Sequence, residues 1–91
     1  YGHCVAIYVD PPIWRWRDLW WCHMISDHSF AELHAFAHEL GVPPPGFQGD
    51  HYDIHADLRK AALHLGAVAI SSRELVHTLY RTGQRTPPAL R

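Results

Sequence analysis

Two capping boxes and two glycine stops mark out α-helices along this chain and leave room only for short strands and turns elsewhere. Ser29-Phe30-Ala31-Glu32 has the spacing of a capping box, in which a serine hydroxyl and a glutamate three residues later satisfy each other's backbone N–H groups. Phe30, Leu33, Ala37 and Leu40 then follow at helical intervals until Gly41 offers a left-handed stop, and Pro43-Pro44-Pro45-Gly46 forbids continuation. Ser71-Ser72-Arg73-Glu74 repeats the box before the apolar face Leu75, Val76, Leu79 and Tyr80. Between the two, Leu58, Ala61, Ala62 and Leu65 mark a helix ended by Gly66. The spacing predicts helices near residues 30–40, 57–65 and 72–81.

The remaining apolar runs read as strands. Val5 to Val9 is β-branched and aromatic and is stopped by Asp10-Pro11-Pro12; Cys22 to Ser26 is a second strand and Ala67 to Ile70 a short third. Period-2 alternation in the second puts His23 and Ile25 on one face and Cys22 and Met24 on the other, which separates Cys22 from His23 as co-ligands. Residues 13–21, with all four tryptophans among Arg15, Arg17 and Asp18, read as an irregular aromatic connection, and the segment from Gly46 to Ile54 reads as a loop. A chain of 10.4 kDa that is 47% hydrophobic supports one core, not two. The expectation is a small single α/β domain over residues 1–81, a short sheet of about three strands packed with about three helices, followed by a flexible C-terminal tail at 82–91. In open α/β sheets functional groups collect beyond the carboxyl ends of strands, where Asp10, Ser26 with Asp27, and Ser71 with Ser72 stand here, and the loop with His51 and Asp53 can close over them.

A formal net charge of −1 provides no global basic field, so a nucleic-acid partner needs a local patch. Trp14-Arg15-Trp16-Arg17 is the candidate, since interleaved aromatic and guanidinium groups serve single-stranded nucleic acid; the same residue types also serve protein contacts, including a homo-oligomer interface. Cys4 and Cys22 are too few for a disulfide framework, and neither a signal peptide nor an apolar run of ~20 residues is seen, which points to a cytoplasmic protein with reduced thiols and no membrane partner. The chain opens on Tyr1-Gly2-His3 rather than on methionine, which leaves open whether these residues are native, so His3 is set aside. Gly41, Gly46 and Gly49 fit no phosphate cradle, and no nucleotide cofactor is expected.

Nine histidines in 91 residues, several beside carboxylates, carry the chemistry. His51 and Asp53 flank Tyr52 and have short reach to one ion; the alternative is a turn in which Asp53 caps the next helix and His51 bonds to backbone. His23, Asp10 and Asp27 stand at or near strand ends, where hard-ion ligands are common. His34 and His38 have helical ligand spacing but lack the adjacent glutamate of a His-Glu-x-x-His site. The candidate ligand set is therefore His23, His34, His51, Asp10, Asp27 and Asp53 for one divalent ion, zinc, manganese or magnesium, with His23, His51 and Asp53 as candidate catalytic groups. Cys22 is a soft ligand only if exposed, and a Ser26-His23-Asp27 triad lacks a nucleophile elbow.

The ordered series Ile7-Tyr8-Val9-Asp10, Trp21-Cys22-His23, Ser26-Asp27, Glu32-Leu33-His34-Ala35-Phe36-Ala37, Leu40-Gly41, Phe47-Gln48, His51-Tyr52-Asp53, Leu65-Gly66-Ala67 and Ser72-Arg73-Glu74-Leu75 resembles a family of short bacterial and phage proteins grouped as a domain of unknown function with a His-Tyr-Asp signature. The resemblance runs to about Arg81. It favours His23, His34 and His51 as functional, leaves His38, His55, His64 and His77 outside the pattern, and implies no established activity. Three readings stay open: a metal-dependent hydrolase acting on a phosphoester or similar bond, a non-catalytic module that binds a small polar ligand or nucleic acid under a tryptophan lid, and a structural or partner-interaction protein.

Overall fold

The computed structural model describes residues 6–86. His3 and Cys4, and the Pro87-Pro88 end of the tail, lie outside the described residues. Within them the order is β1 (Ile7–Val9), β2 (Trp14–Trp16), β3 (Leu19–Ser26), α1 (Phe30–Leu40), a 3-10 turn at Pro44–Gly46, β4 (Tyr52–His55), α2 (Ala56–His64), β5 (Val68–Ala69) and α3 (Ser72–Arg81). The mixed α/β class and the three helices agree with the sequence pattern, but the sheet has five strands where about three were expected.

The caps form where the spacing predicts, although at Ser29 only the serine half of the box is made. The Ser29 hydroxyl accepts from the Glu32 backbone, Gly41 ends α1 at φ 89°, and both bonds of the Ser71/Glu74 box are present. The helix α2 has no such device; its N-cap is His55 with no side-chain bond, so Asp53 does not cap it and instead sits within β4.

The two additional strands account for the segments read as connection and loop. Residues 13–21 form most of a hairpin, with Trp14 opposite Trp21 and Trp16 opposite Leu19. Residues Tyr52 to His55 pair antiparallel with Met24 to Trp21. β3 is thus the centre of the sheet. Its C-terminal half pairs antiparallel with β1, which pairs parallel with β5 on its far side. Because Trp21 and Met24 each bond both to β4 and to β2 or β1, β4 lies on one edge of β3, while β1 and β2 follow one another along the other.

Alternation then gives the sheet two unlike faces. Cys22, Met24, Tyr52, Ile54, Ile7 and Val9 point into the main core with Leu33, Ala37 and Ala62 of α1 and α2. The opposite face is covered by α3 only around Ile25, where Leu75 and Leu79 pack beside Tyr8 and Ile70. Its other half, with Trp14, Trp21, His23 and Asp53, has no helix over it among the described residues. Residues 82–86, placed above in a flexible tail, fold back onto the domain: Gln84 donates to the Ser26 carbonyl at 2.8 Å and Arg85 reaches Asp50.

Candidate metal centre

The half-open sheet face brings together three of the residues singled out above. His23 and Asp53 are cross-strand partners in β3 and β4, and His51, two residues before Asp53, returns to the same face. One ligand atom from each of His23, His51 and Asp53 lies within 4.8 Å of the others, and the His23 and His51 rings meet edge-on at 5.0 Å. All three are half-buried, so the group is reachable from solvent.

Each histidine is oriented by its own carboxylate. Asp10, fully buried at the end of β1, accepts the His23 backbone N–H at 2.7 Å and is 2.8 Å from Nδ1 of the same residue. It also accepts the Ser72 hydroxyl at 2.8 Å, while Arg59 donates to its carbonyl. His51 Nδ1 is 2.7 Å from Asp50, and Asp50 is held from behind by two bonds from Arg85, at 2.8 and 3.0 Å. An ionised carboxylate only accepts, so Nδ1 carries the proton in both rings and Nε2 of each neutral imidazole is a bare lone pair. Carboxylate–imidazole pairs of this kind fix the tautomer and raise the basicity of metal-binding histidines.

The charges support the same arrangement. Burial alone would raise the Asp10 carboxyl, but the bonds from His23 and Ser72 overcome it and hold the group below its ordinary value. The hydrogen bond to Asp10 raises His23, against the opposing pull of burial. At Asp50, too, burial is overcome, by the bonds from Arg85 and His51, and the carboxyl is lowered.

Two nitrogens and one carboxylate oxygen form a donor set that suits zinc or manganese better than magnesium, which prefers oxygen. Asp53 Oδ1 is buried and has no hydrogen-bond partner among the described residues; His51 Nε2 stands 3.3 Å away without forming a bond. An ion between them would satisfy that oxygen. Ligands at bonds of ~2.0–2.2 Å lie about 3.5 Å apart in a tetrahedron; His51 Nε2 and Asp53 Oδ1 already have that separation, and only a wider gap, at most 4.8 Å, has to close by about 1 Å.

The other candidates are placed elsewhere. Asp10 lies behind His23 as its orienting partner. Asp27 is at the opposite end of the sheet, because β3 runs antiparallel to β1, and it accepts from the Ala6 N–H at 3.3 Å and the Tyr8 hydroxyl at 3.5 Å. Ser26 shares that end, so the expected convergence of strand ends holds only for Asp10 and Ser72. His34 projects from α1 on the other face of the sheet, where its Nδ1 meets the Tyr52 hydroxyl at 2.7 Å and its ring packs on Phe47. Cys22 is buried in the main core, and burial together with the Asp10 charge pushes its thiol up to about 12. Sequence reasoning did not assign roles to Asp50 or Arg85. Asp50 was signalled only by adjacency to His51; Arg85, in the presumptive tail, had no signal at all.

A cleft of about 420 Å³ adjoins the cluster, lined by Trp14, Trp16 and Trp21 with Pro45, Gly46 and Gln48, and Asp53 is common to both. Trp14 packs on the His23 ring at 4.7 Å. No helix among the described residues is long and apolar enough to cross a membrane. No curated protein and no solved structure matches the chain significantly. A family model does match, over residues 7–82, from β1 through the end of α3, and by it the chain belongs to the family described as "Protein of unknown function (DUF4031)".

Proposed function

We propose that this domain holds one divalent transition-metal ion through His23 Nε2, His51 Nε2 and Asp53, and that it is a metal-dependent hydrolase for a phosphoester or similar bond. The observation that carries the reading is the pair of carboxylate-held imidazoles, Asp10–His23 and Asp50–His51, each left with a bare Nε2 beside the unpartnered oxygen of Asp53. Three protein ligands leave a position open, as catalytic rather than structural sites do. Bound there, the ion would supply a Lewis acid and an activated water. The residues themselves orient the imidazoles, place the proton of each neutral ring on Nδ1 so that Nε2 is the free donor, and border a cleft large enough for a small substrate.

Metal analysis of untagged protein, followed by calorimetric titration of the metal-free form with zinc and with manganese, tests the site. One saturable equivalent is expected, and it should vanish in His51→Ala. Hydrolysis of a simple phosphodiester that depends on the same metal tests the activity. Absence of saturable binding removes the site; saturable binding without metal-dependent hydrolysis of any phosphoester leaves a non-catalytic binding module.

A further inference from the structure

We propose that the tryptophan cleft is a nucleotide subsite: the indoles of the β2–β3 ribbon stack on a nucleobase, and the phosphate attached to it lies over His23, His51 and Asp53. The placement of the phosphate rests on the metal reading above; the stacking does not.

The cleft and the cluster meet at Asp53, so a bond held at the cluster has the rest of its molecule in the cleft. Three of the four tryptophans face it. Cross-strand pairing puts Trp14 beside Trp21, alternation puts Trp16 on the same face, and Trp20 points to the other. Trp16 remains 54% exposed, which costs apolar hydration that core packing would have removed. The Trp21 indole N–H is already spent on the Trp16 carbonyl at 2.8 Å, and the two rings meet edge-on at 5.5 Å, so the indoles are set in place before any ligand arrives. What they offer is ring surface, and a flat π-system is what ring surface binds.

The charges select among flat ligands. The Arg17 guanidinium lies 4.6 Å over the Trp16 ring, and Arg15 is exposed on the same ribbon, paired only loosely with Asp18 at 3.7 Å. The Arg17 guanidinium at one end and a metal cluster at the other favour an anion at either side of the stacked ring, while Arg15, opposite Trp20, faces away from the cleft. Gln48 adds an amide able to both donate and accept, as reading a base edge requires. A neutral sugar can stack on indole but uses neither cation, and an apolar chain uses neither the cations nor the amide. The shared chemistry is a base bearing phosphate, whether a free nucleotide or one unit of a single strand.

The test follows the four indole N–H signals of the isotope-labelled full chain by NMR. In metal-free protein, adenosine should shift the Trp14, Trp16 and Trp21 signals saturably and leave Trp20 unmoved, while cellobiose shifts none. Trp16→Ala, an exposed change that leaves the core alone, should weaken adenosine about tenfold, and Trp20→Ala should not. With zinc present, adenosine monophosphate should bind more tightly than adenosine. A short single-stranded oligonucleotide that binds more tightly still identifies the strand as the source, and equal affinity identifies the free nucleotide. No saturable shift, an equal response at Trp20, or an equal response to cellobiose overturns the stacking. A normal adenosine response with no gain from phosphate and zinc overturns the phosphate placement and leaves metal binding, measured without nucleotide, to be judged separately.

Discussion

At the residue scale the Asp10–His23 pair couples stability, and with it the metal binding proposed above, to one proton. His23 is raised above its ordinary 6.5 by its bond to Asp10, so its contribution to stability is complete below 6.5 and is lost as pH rises through the raised value. Asp10 is lowered below 3.8, so its contribution is complete above 3.8 and is lost as pH falls through the lowered value. The pair therefore works at full strength between 3.8 and 6.5. Asp10→Asn should cost about 2 kcal/mol in urea denaturation at mildly acidic pH and less in alkali, because a buried acceptor is weakened while its donors remain. Metal binding needs the neutral ring, so affinity should fall as pH drops through the raised value of His23, and in Asp10→Asn that fall should move to lower pH. Calorimetry across that range checks the direction; an unchanged midpoint would detach Asp10 from the site. Cys22 offers a control: with its thiol pushed up to about 12 and enclosed in the core, it should resist alkylation at neutral pH until denaturant is added, as peptide mapping would show.

At the element scale the helices were legible because their caps are chemical and local, whereas the hairpin was not. Trp16 pairs with Leu19 across a two-residue turn in which Arg17 and Asp18 both have positive φ, 53° and 61°. Such a turn normally declares itself by Asn-Gly or Asp-Gly, and neither is present. The strain has a test: Arg17→Asn with Asp18→Gly should stabilise the protein by about 1 kcal/mol, read as a higher Tm. β4 was hidden for another reason. Its Tyr-Asp-Ile-His alternation is only four residues long and carries the site's own polar groups on its open face, so chemistry masked the strand signal. The segment after α3 shows the same limit, since nothing in Gln84-Arg85 announces a long-range partner. Arg85→Ala should release Asp50, loosen His51 and weaken zinc about tenfold with little loss of helix, which calorimetry and circular dichroism together would resolve.

At the scale of the whole molecule, three helices are divided unequally over two sheet faces, two on one side and one over part of the other. The sequence carried the class and the helices, and it singled out His23, His51 and Asp53, which the fold brings together; it did not carry the side of the sheet, which is why Asp27 and His34 read as equals of residues that the fold sets apart from them. Deleting residues 83–91 should therefore leave the helical content largely intact while lowering zinc affinity at least as much as Arg85→Ala does, because it also removes the Gln84 bond to Ser26. The buried carboxylate at the end of β1 has a further consequence, for the order of events in folding. Its bonds reach across 13 residues to His23 and 62 to Ser72, and the backbone carbonyl of the same residue reaches across 49 to Arg59. Each waits on a different part of the chain, the sheet centre, α2 or α3, and a carboxylate enclosed before His23 and Ser72 arrive would be enclosed unpaired. Asp10 thus ties three distant parts of the chain together: its full set of bonds, and with it the fixed orientation of His23, exists only where all three have met.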